Sequence, residues 1–103
     1  MKPKNKRIAL KDVLKNELRD PEFSFYFERE KAISDIARMV RDARQRANFT
    51  QTQLALKAKT SQAVIARLES GSDGRIPTLE LLERIAHALK AKLMVAFEYG
   101  RAA

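Results

Sequence analysis

His87 is the only histidine of this 103-residue chain, and there is no cysteine. A general base, a thiol nucleophile and a thiolate metal site therefore have almost nothing to be built from. His87 sits in ERIAHALK, with no candidate nucleophile near it in sequence. A structural or solvent-facing histidine is the reading those neighbours favour. No phosphate-cradling glycine loop, metal-ligand spacing or nucleophile motif occurs, so neither enzyme activity, a metal nor a cofactor is expected. Positive charge is what the chain has in excess: 21 Lys and Arg against 13 Asp and Glu, net +8, with a pI of about 10.1. That balance suits a polyanionic partner such as nucleic acid, and it equally serves to keep a small protein soluble. Half of the excess lies in residues 1–20, which carry seven basic and three acidic groups.

A second cluster points to protein instead. Phe23, Phe25, Tyr26 and Phe27 bring four of the seven aromatic residues into five positions, more than one helical face can hold. Phe23 and Phe27, four apart, can cover a core while the others stay partly exposed. The alternative is a sticky surface for another protein.

These groups need elements to position them. The length implies one domain, and 45% hydrophobic residues fill one small core. No apolar run approaches the roughly 20 residues of a membrane span, and the basic opening MKPKNKR is not followed by a signal-peptide core. A soluble cytoplasmic protein is expected. Residues 1–7 read as a disordered basic tail. Residues 8–29 read as an N-terminal extension: Leu10, Val13, Leu14 and Leu18 have helical spacing, and Asp20-Pro21-Glu22 is a helix start. A clear helix follows over 30–47, with Ile33, Ile36, Val40 and Ala43 on one face and Arg38, Arg41, Asp42 and Arg46 opposite. Gly71-Ser72-Asp73-Gly74 is a loop, and Pro77-Thr78 opens a helix carrying Leu79, Leu82, Ile85, Ala86 and Leu89. Residues 91–103 form the C-terminal strand and tail. There Leu93, Val95, Phe97 and Tyr99 alternate with Met94, Ala96 and Glu98, a period of two that predicts a strand. A lone strand has unpaired backbone groups, so the economical partner is the same strand of a second copy; the alternative is an extended tail that pairs with nothing.

The organising stretch is Phe49–Gly71, FTQTQLALKAKTSQAVIARLESG. It reads as two short helices and a tight turn, with the second helix suited to the major groove. Thr50 and Gln53 fit a capping box, and Phe49 and Leu54 the accompanying hydrophobic staple. Leu54, Ala58, Ile65 and Leu68 point inward, Ala55 is small where helices approach, Thr60 or Ser61 caps the second helix, and Gly71 suits a left-handed end.

TQxxLAxxxxxSQxxIxRLExG at Thr50–Gly71 resembles the Xre family of lambda-repressor-like DNA-binding domains, and PTLELLERIAHAL at Pro77–Leu89 resembles the helix that follows there. The likeness spans roughly residues 36–90. It implies an all-α helix-turn-helix bundle over residues 30–90, to which this chain would add an N-terminal extra helix and a C-terminal dimerising β-strand. It also implies roles. Gln51 would touch a phosphate and brace the recognition helix. Ser61 and Gln62 would open that helix, with Gln62 bonding adenine and Ala63 meeting a thymine methyl. Arg67 would read guanine or bind phosphate, and Arg75 would bind phosphate. Arg44 and Glu69 would form a structural ion pair. Two positions depart from the pattern. Lys59 stands where the turn usually carries Gly, and if left-handed there it costs on the order of 1–2 kcal/mol; its charge would also meet phosphate. Ala66 replaces a polar residue, leaving Gln62 and Arg67 as the long hydrogen-bonding side chains.

LRDPEFSFYFE before a long helix and this motif resembles HigA-type antitoxins, and the last segment resembles the dimer-forming strand of HipB-like antitoxins. The likeness implies the antitoxin of a type II toxin–antitoxin pair, a sequence-specific repressor of its own operon on a palindromic double-stranded operator. It would act as a homodimer through Leu93, Val95, Phe97 and Tyr99, and would neutralise a RelE/HigB-like protein toxin through Phe23, Phe25, Tyr26 and Phe27. A stand-alone phage-type or metabolic repressor without a toxin is the alternative.

Overall fold

A computed structural model describes residues 20–72 and 74–100. The expected tail over 1–7 and helical stretch over 8–19 lie outside them. Among the described residues the chain is all helical: α1 is Pro21–Arg46, α2 Gln51–Lys57, α3 Gln62–Ser70 and α4 Leu79–Ala88. The start at Asp20-Pro21-Glu22 and the helix expected over 30–47 are parts of one element. Asp20 caps it by accepting from the Glu22 amide at 3.0 Å, Pro21 occupies the first turn, and Glu22 faces the positive end of the dipole. At 26 residues α1 is about 39 Å long. It buries Ile33, Ala37 and Val40; its solvent face carries Lys31 and Arg38, both on Asp35, exposed pairs that add little stability.

The core forms where α3 packs against both α1 and α2, and α4 closes on α2. Leu54 and Ile65 are fully buried, and Val40, Ala55, Ala58, Leu82 and Ile85 surround them. Ala55 and Ala58 keep α2 short-sided, which allows its backbone to approach α3 closely. Phe49, Leu68, Leu81, Leu89 and Leu93 seal the edges.

Three helices end alike. Asn48, Lys59 and Lys90 have φ of 61°, 59° and 57°. In each case the next amide reaches back five residues: Phe49 to Arg44 O, Thr60 to Ala55 O and Ala91 to Ala86 O, at 3.2, 2.9 and 2.8 Å. These are left-handed helix ends that usually carry glycine. Lys59 and Lys90 therefore hold strained backbone, each at a cost of about 1–2 kcal/mol. Gly71, at φ 69°, ends α3 without that cost.

The C-terminal β-strand expected over Leu93–Tyr99 is absent: residues 91–100 form no ladder, and no strand occurs among the described residues. A ladder needs a second extended segment, and the helices use their backbone groups internally. The alternation also lacks a buried face. Leu93 packs on the core, but beyond it Met94 and Val95, which belong to opposite faces, are both exposed, as are Phe97 and Tyr99.

Candidate nucleic-acid interface

The start of α2 is fixed first. The Gln53 amide donates to Thr50 Oγ1 at 3.0 Å and the Thr50 amide donates to Gln53 Oε1 at 2.8 Å, a reciprocal cap. Phe49 and Leu54 both join the core, and Lys57 Nζ lies 5.4 Å from the Phe49 ring centroid, within cation–π range. The turn then passes through left-handed Lys59 to Ser61, which caps α3 by accepting from the Val64 amide at 3.1 Å. Of Thr60 and Ser61, Ser61 is thus the cap. The two caps set the entry angles of both motif helices.

A line of polar contacts runs from the interior to the exposed start of α3. Arg44 Nε and Nη2 donate to Glu69 Oε2 and Oε1 at 2.7 and 3.0 Å. Arg44 Nη1 donates to Phe49 O at 2.8 Å. The Glu69 side chain is 3% exposed and that of Arg44 13%. Hydrogen bonding to Glu69, helped by its charge and opposed by burial, raises the Arg44 pKa, so the guanidinium is charged at any working pH. Gln51 Nε2 donates to Glu69 Oε1 at 3.1 Å, and Gln62 Nε2 donates to Gln51 Oε1 at 2.8 Å. The direction of this line follows from its buried end. An ionised carboxylate only accepts, so Gln51 must turn its amide nitrogen inward and its oxygen outward. Gln62 must then donate, which leaves its own oxygen and second N–H outside this line, on an exposed side chain. No buried side-chain polar atom among the described residues lacks a partner.

The rest of the exposed face of α3 is small. Ala63 and Arg67 are exposed and Ala66 half-buried, while Ile65 and Glu69 form the inner face. Arg67 shares a cleft with Arg75 in the connection between α3 and α4; Arg75 is already engaged within the chain. Lys59 is placed elsewhere, around a shallow cavity with Lys57, Glu83, Arg84 and His87. Phe23 and Phe27 stack on each other with centroids 6.4 Å apart, while Phe25 and Tyr26 are 70% and 60% exposed.

Two positioning contacts have no local signature in sequence. Arg84 Nε donates to Ala58 O at 3.0 Å, so α4 holds the C-terminal carbonyl end of α2. Arg29 Nη2 donates to Gly74 O at 2.9 Å, tying α1 to the loop that carries Arg75. Each links residues at least 26 positions apart; only the Glu80–Arg84 spacing, an i,i+4 pair at 3.3 Å, offered a hint that Arg84 is held in place.

Residues 40–94, more than half of the chain, match the helix-turn-helix family. The chain belongs to the Xre-like helix-turn-helix family. Members are DNA-binding regulatory domains, and the polar line described above runs through the motif of this Xre-like protein. Over 63 residues it is 40% identical to the competence pilus inhibition repressor of Acinetobacter baylyi (strain ATCC 33305 / BD413 / ADP1), an alignment that covers 61% of this chain and 56% of that one. The chain thus spans little more than half the length of that curated relative. No solved structure gives a significant match. Among the described residues, no helix is long and apolar enough to cross a membrane.

Proposed function

We propose that this Xre-like protein is a sequence-specific transcriptional repressor that reads a palindromic operator with α3. The observation that carries this is the line Arg44–Glu69–Gln51–Gln62. It holds one amide on the outer face of α3 before DNA arrives, with an acceptor and a donor outward, the pair of groups that matches adenine in the major groove. Gln62 and Arg67 are assigned to base edges, Ala63 to a thymine methyl, Ser61, Lys59 and Arg75 to phosphates, and Gln51 to a phosphate through its backbone N–H in the first turn of α2. Arg44 and Glu69 brace the site from within. The similarity to a protein named as a repressor supports the regulatory sense.

Two copies are proposed to bind together. The support is the exposed apolar run Val95, Phe97 and Tyr99 beyond its anchor Leu93, which water disfavours on a single chain. Half-sites would lie about 34–36 Å apart.

A second reading adds a protein toxin as partner. It is favoured by Phe25 and Tyr26, which lie exposed on α1 beside the stacked Phe23 and Phe27.

The deciding experiment compares binding to an operator selected from random sequence with binding to unselected DNA. Gln62→Ala and Arg67→Ala should each weaken operator binding by about 1–3 kcal/mol and relax one base position. Equal loss on both DNAs would remove the assignment. Co-purification of a small protein that Phe25→Ala/Tyr26→Ala releases would establish the second reading, and its absence from the native host would dismiss it.

A further inference from the structure

Between α1, α3 and the connection to α4 lies a cleft of about 260 Å³. Ile33, Val64, Leu68, Ile76 and Leu81 line it and Arg67 stands among them. Its walls are tied in place. Arg29 holds the loop at Gly74 O, and the Ser70 and Ser72 hydroxyls lie 2.7 Å apart, with the Ser72 amide donating to Ser70 Oγ at 3.2 Å. Arg75 lines the cleft too but is already engaged within the chain, so the apolar walls with the Arg67 guanidinium, which makes no ion pair among the described residues, are complementary to an apolar body bearing a single anionic head. The volume lies just below the usual range for ligand pockets, which restricts the occupant to a small molecule.

We propose that this cleft binds a small amphipathic carboxylic acid, and that the acid lowers affinity for DNA. Its chain lies on Ile33, Leu68 and Leu81, and its carboxylate takes the Arg67 guanidinium in a bidentate pair. This deepens the repressor reading, since Arg67 is there assigned to DNA: an arginine held by a carboxylate cannot also reach a base or a phosphate. The acid would act as an inducer.

The test uses octanoate, with octylammonium as the control of opposite charge. Octanoate titrated into the full chain without DNA should give saturable NMR shifts at the Ile33, Leu68 and Leu81 methyls and at the Arg67 side chain. Octylammonium should not. Arg67→Gln, at an exposed position, should weaken octanoate binding about 10- to 100-fold, the value of a charge-assisted hydrogen bond. Ile76→Trp should block the cleft while leaving Arg67 in place. Saturating octanoate should lower operator affinity at least tenfold. Shifts that do not saturate, shifts confined to Val95–Tyr99, equal binding of octylammonium, or occupancy with no effect on DNA affinity would each overturn the proposal. If the chain binds no DNA at all, the repressor reading falls, and the titration still decides whether the cleft takes a carboxylate.

Discussion

Replacing Arg44 by Met removes three donated hydrogen bonds, two to Glu69 and one to Phe49 O. It leaves a carboxylate whose side chain is 3% exposed with Gln51 as its remaining donor. Breaking a buried pair from one side costs about 3–5 kcal/mol, because the surviving charge is stranded. Against a domain stability of about 5–15 kcal/mol, that is a large fraction, and Tm should fall by more than about 12 °C. Arg44→Met/Glu69→Leu should recover most of the loss, since removing both charges together is often close to neutral. Function should not recover with it. Without Glu69, nothing obliges the Gln51 amide to turn its oxygen outward, and Gln62 loses its fixed acceptor. Releasing these side chains should cost operator binding about 0.5–1.5 kcal/mol each, while binding to unselected DNA is unchanged. Urea denaturation followed by circular dichroism reads the first effect, and fluorescence anisotropy on both DNAs reads the second. A loss below about 1 kcal/mol in Arg44→Met would refute the stranded-charge argument. A double variant that binds operator as tightly as the parent would refute the bracing argument.

Lys90→Gly should stabilise the fold by about 1 kcal/mol, because it relieves a left-handed non-glycine residue; an unchanged or lower denaturation midpoint would contradict this. Lys59→Gly should stabilise the fold similarly, yet weaken DNA binding and reduce the salt slope of log K by about one, as should Arg75→Ala; a slope unchanged in both would remove them from the phosphate contacts. Phe97→Asp should shift the sedimentation equilibrium toward monomer and reduce operator affinity without changing Tm. A parent protein that sediments as a monomer with and without operator would end the two-copy proposal.

Much of this fold follows from local chemistry, and so it could be read before any coordinates. Thr50, Gln53 and Ser61 cap through neighbours three residues away, and the buried faces of α1 and α3 repeat at helical spacing. The terminal segment could not be read in this way. Alternation along Leu93–Tyr99 reports β-formers, but a strand is a property of two segments, and the described chain supplies only one. The long reach of Arg84 to Ala58 O and of Arg29 to Gly74 O was also beyond sequence, because nothing within either helix marks an arginine that meets a carbonyl across the fold. At the candidate site, the Arg44–Glu69 contact and the direction of the Gln51–Gln62 bond are set by tertiary placement. Resemblance named the residues, and only the geometry shows that the acceptor-only carboxylate orients the two amides in turn.

On the proposed reading, the sparseness of α3 makes two copies a requirement. Ala63 and Ala66 offer no hydrogen bonds, so Gln62 and Arg67 carry the base reading of one half-site. At about 1–3 kcal/mol for each bidentate pair, one copy discriminates by about 2–6 kcal/mol, at or below the lower part of the roughly 4–10 kcal/mol that separates specific from non-specific binding. Two copies on a palindrome reach about 4–12 kcal/mol on the same contacts, which brackets that range. The exposed Val95, Phe97 and Tyr99 would then matter to sequence recognition although they stand far along the chain from any base-reading residue. Uncoupling the copies should reduce discrimination between operator and random DNA by about half on the logarithmic scale, while the phosphate contribution of each copy survives. Measured on Phe97→Asp with a single half-site and with the full operator, equal affinities per copy on the two DNAs are expected. A variant that remains monomeric and still prefers the full operator as strongly as the parent would show that α3 reads more than Gln62 and Arg67 supply.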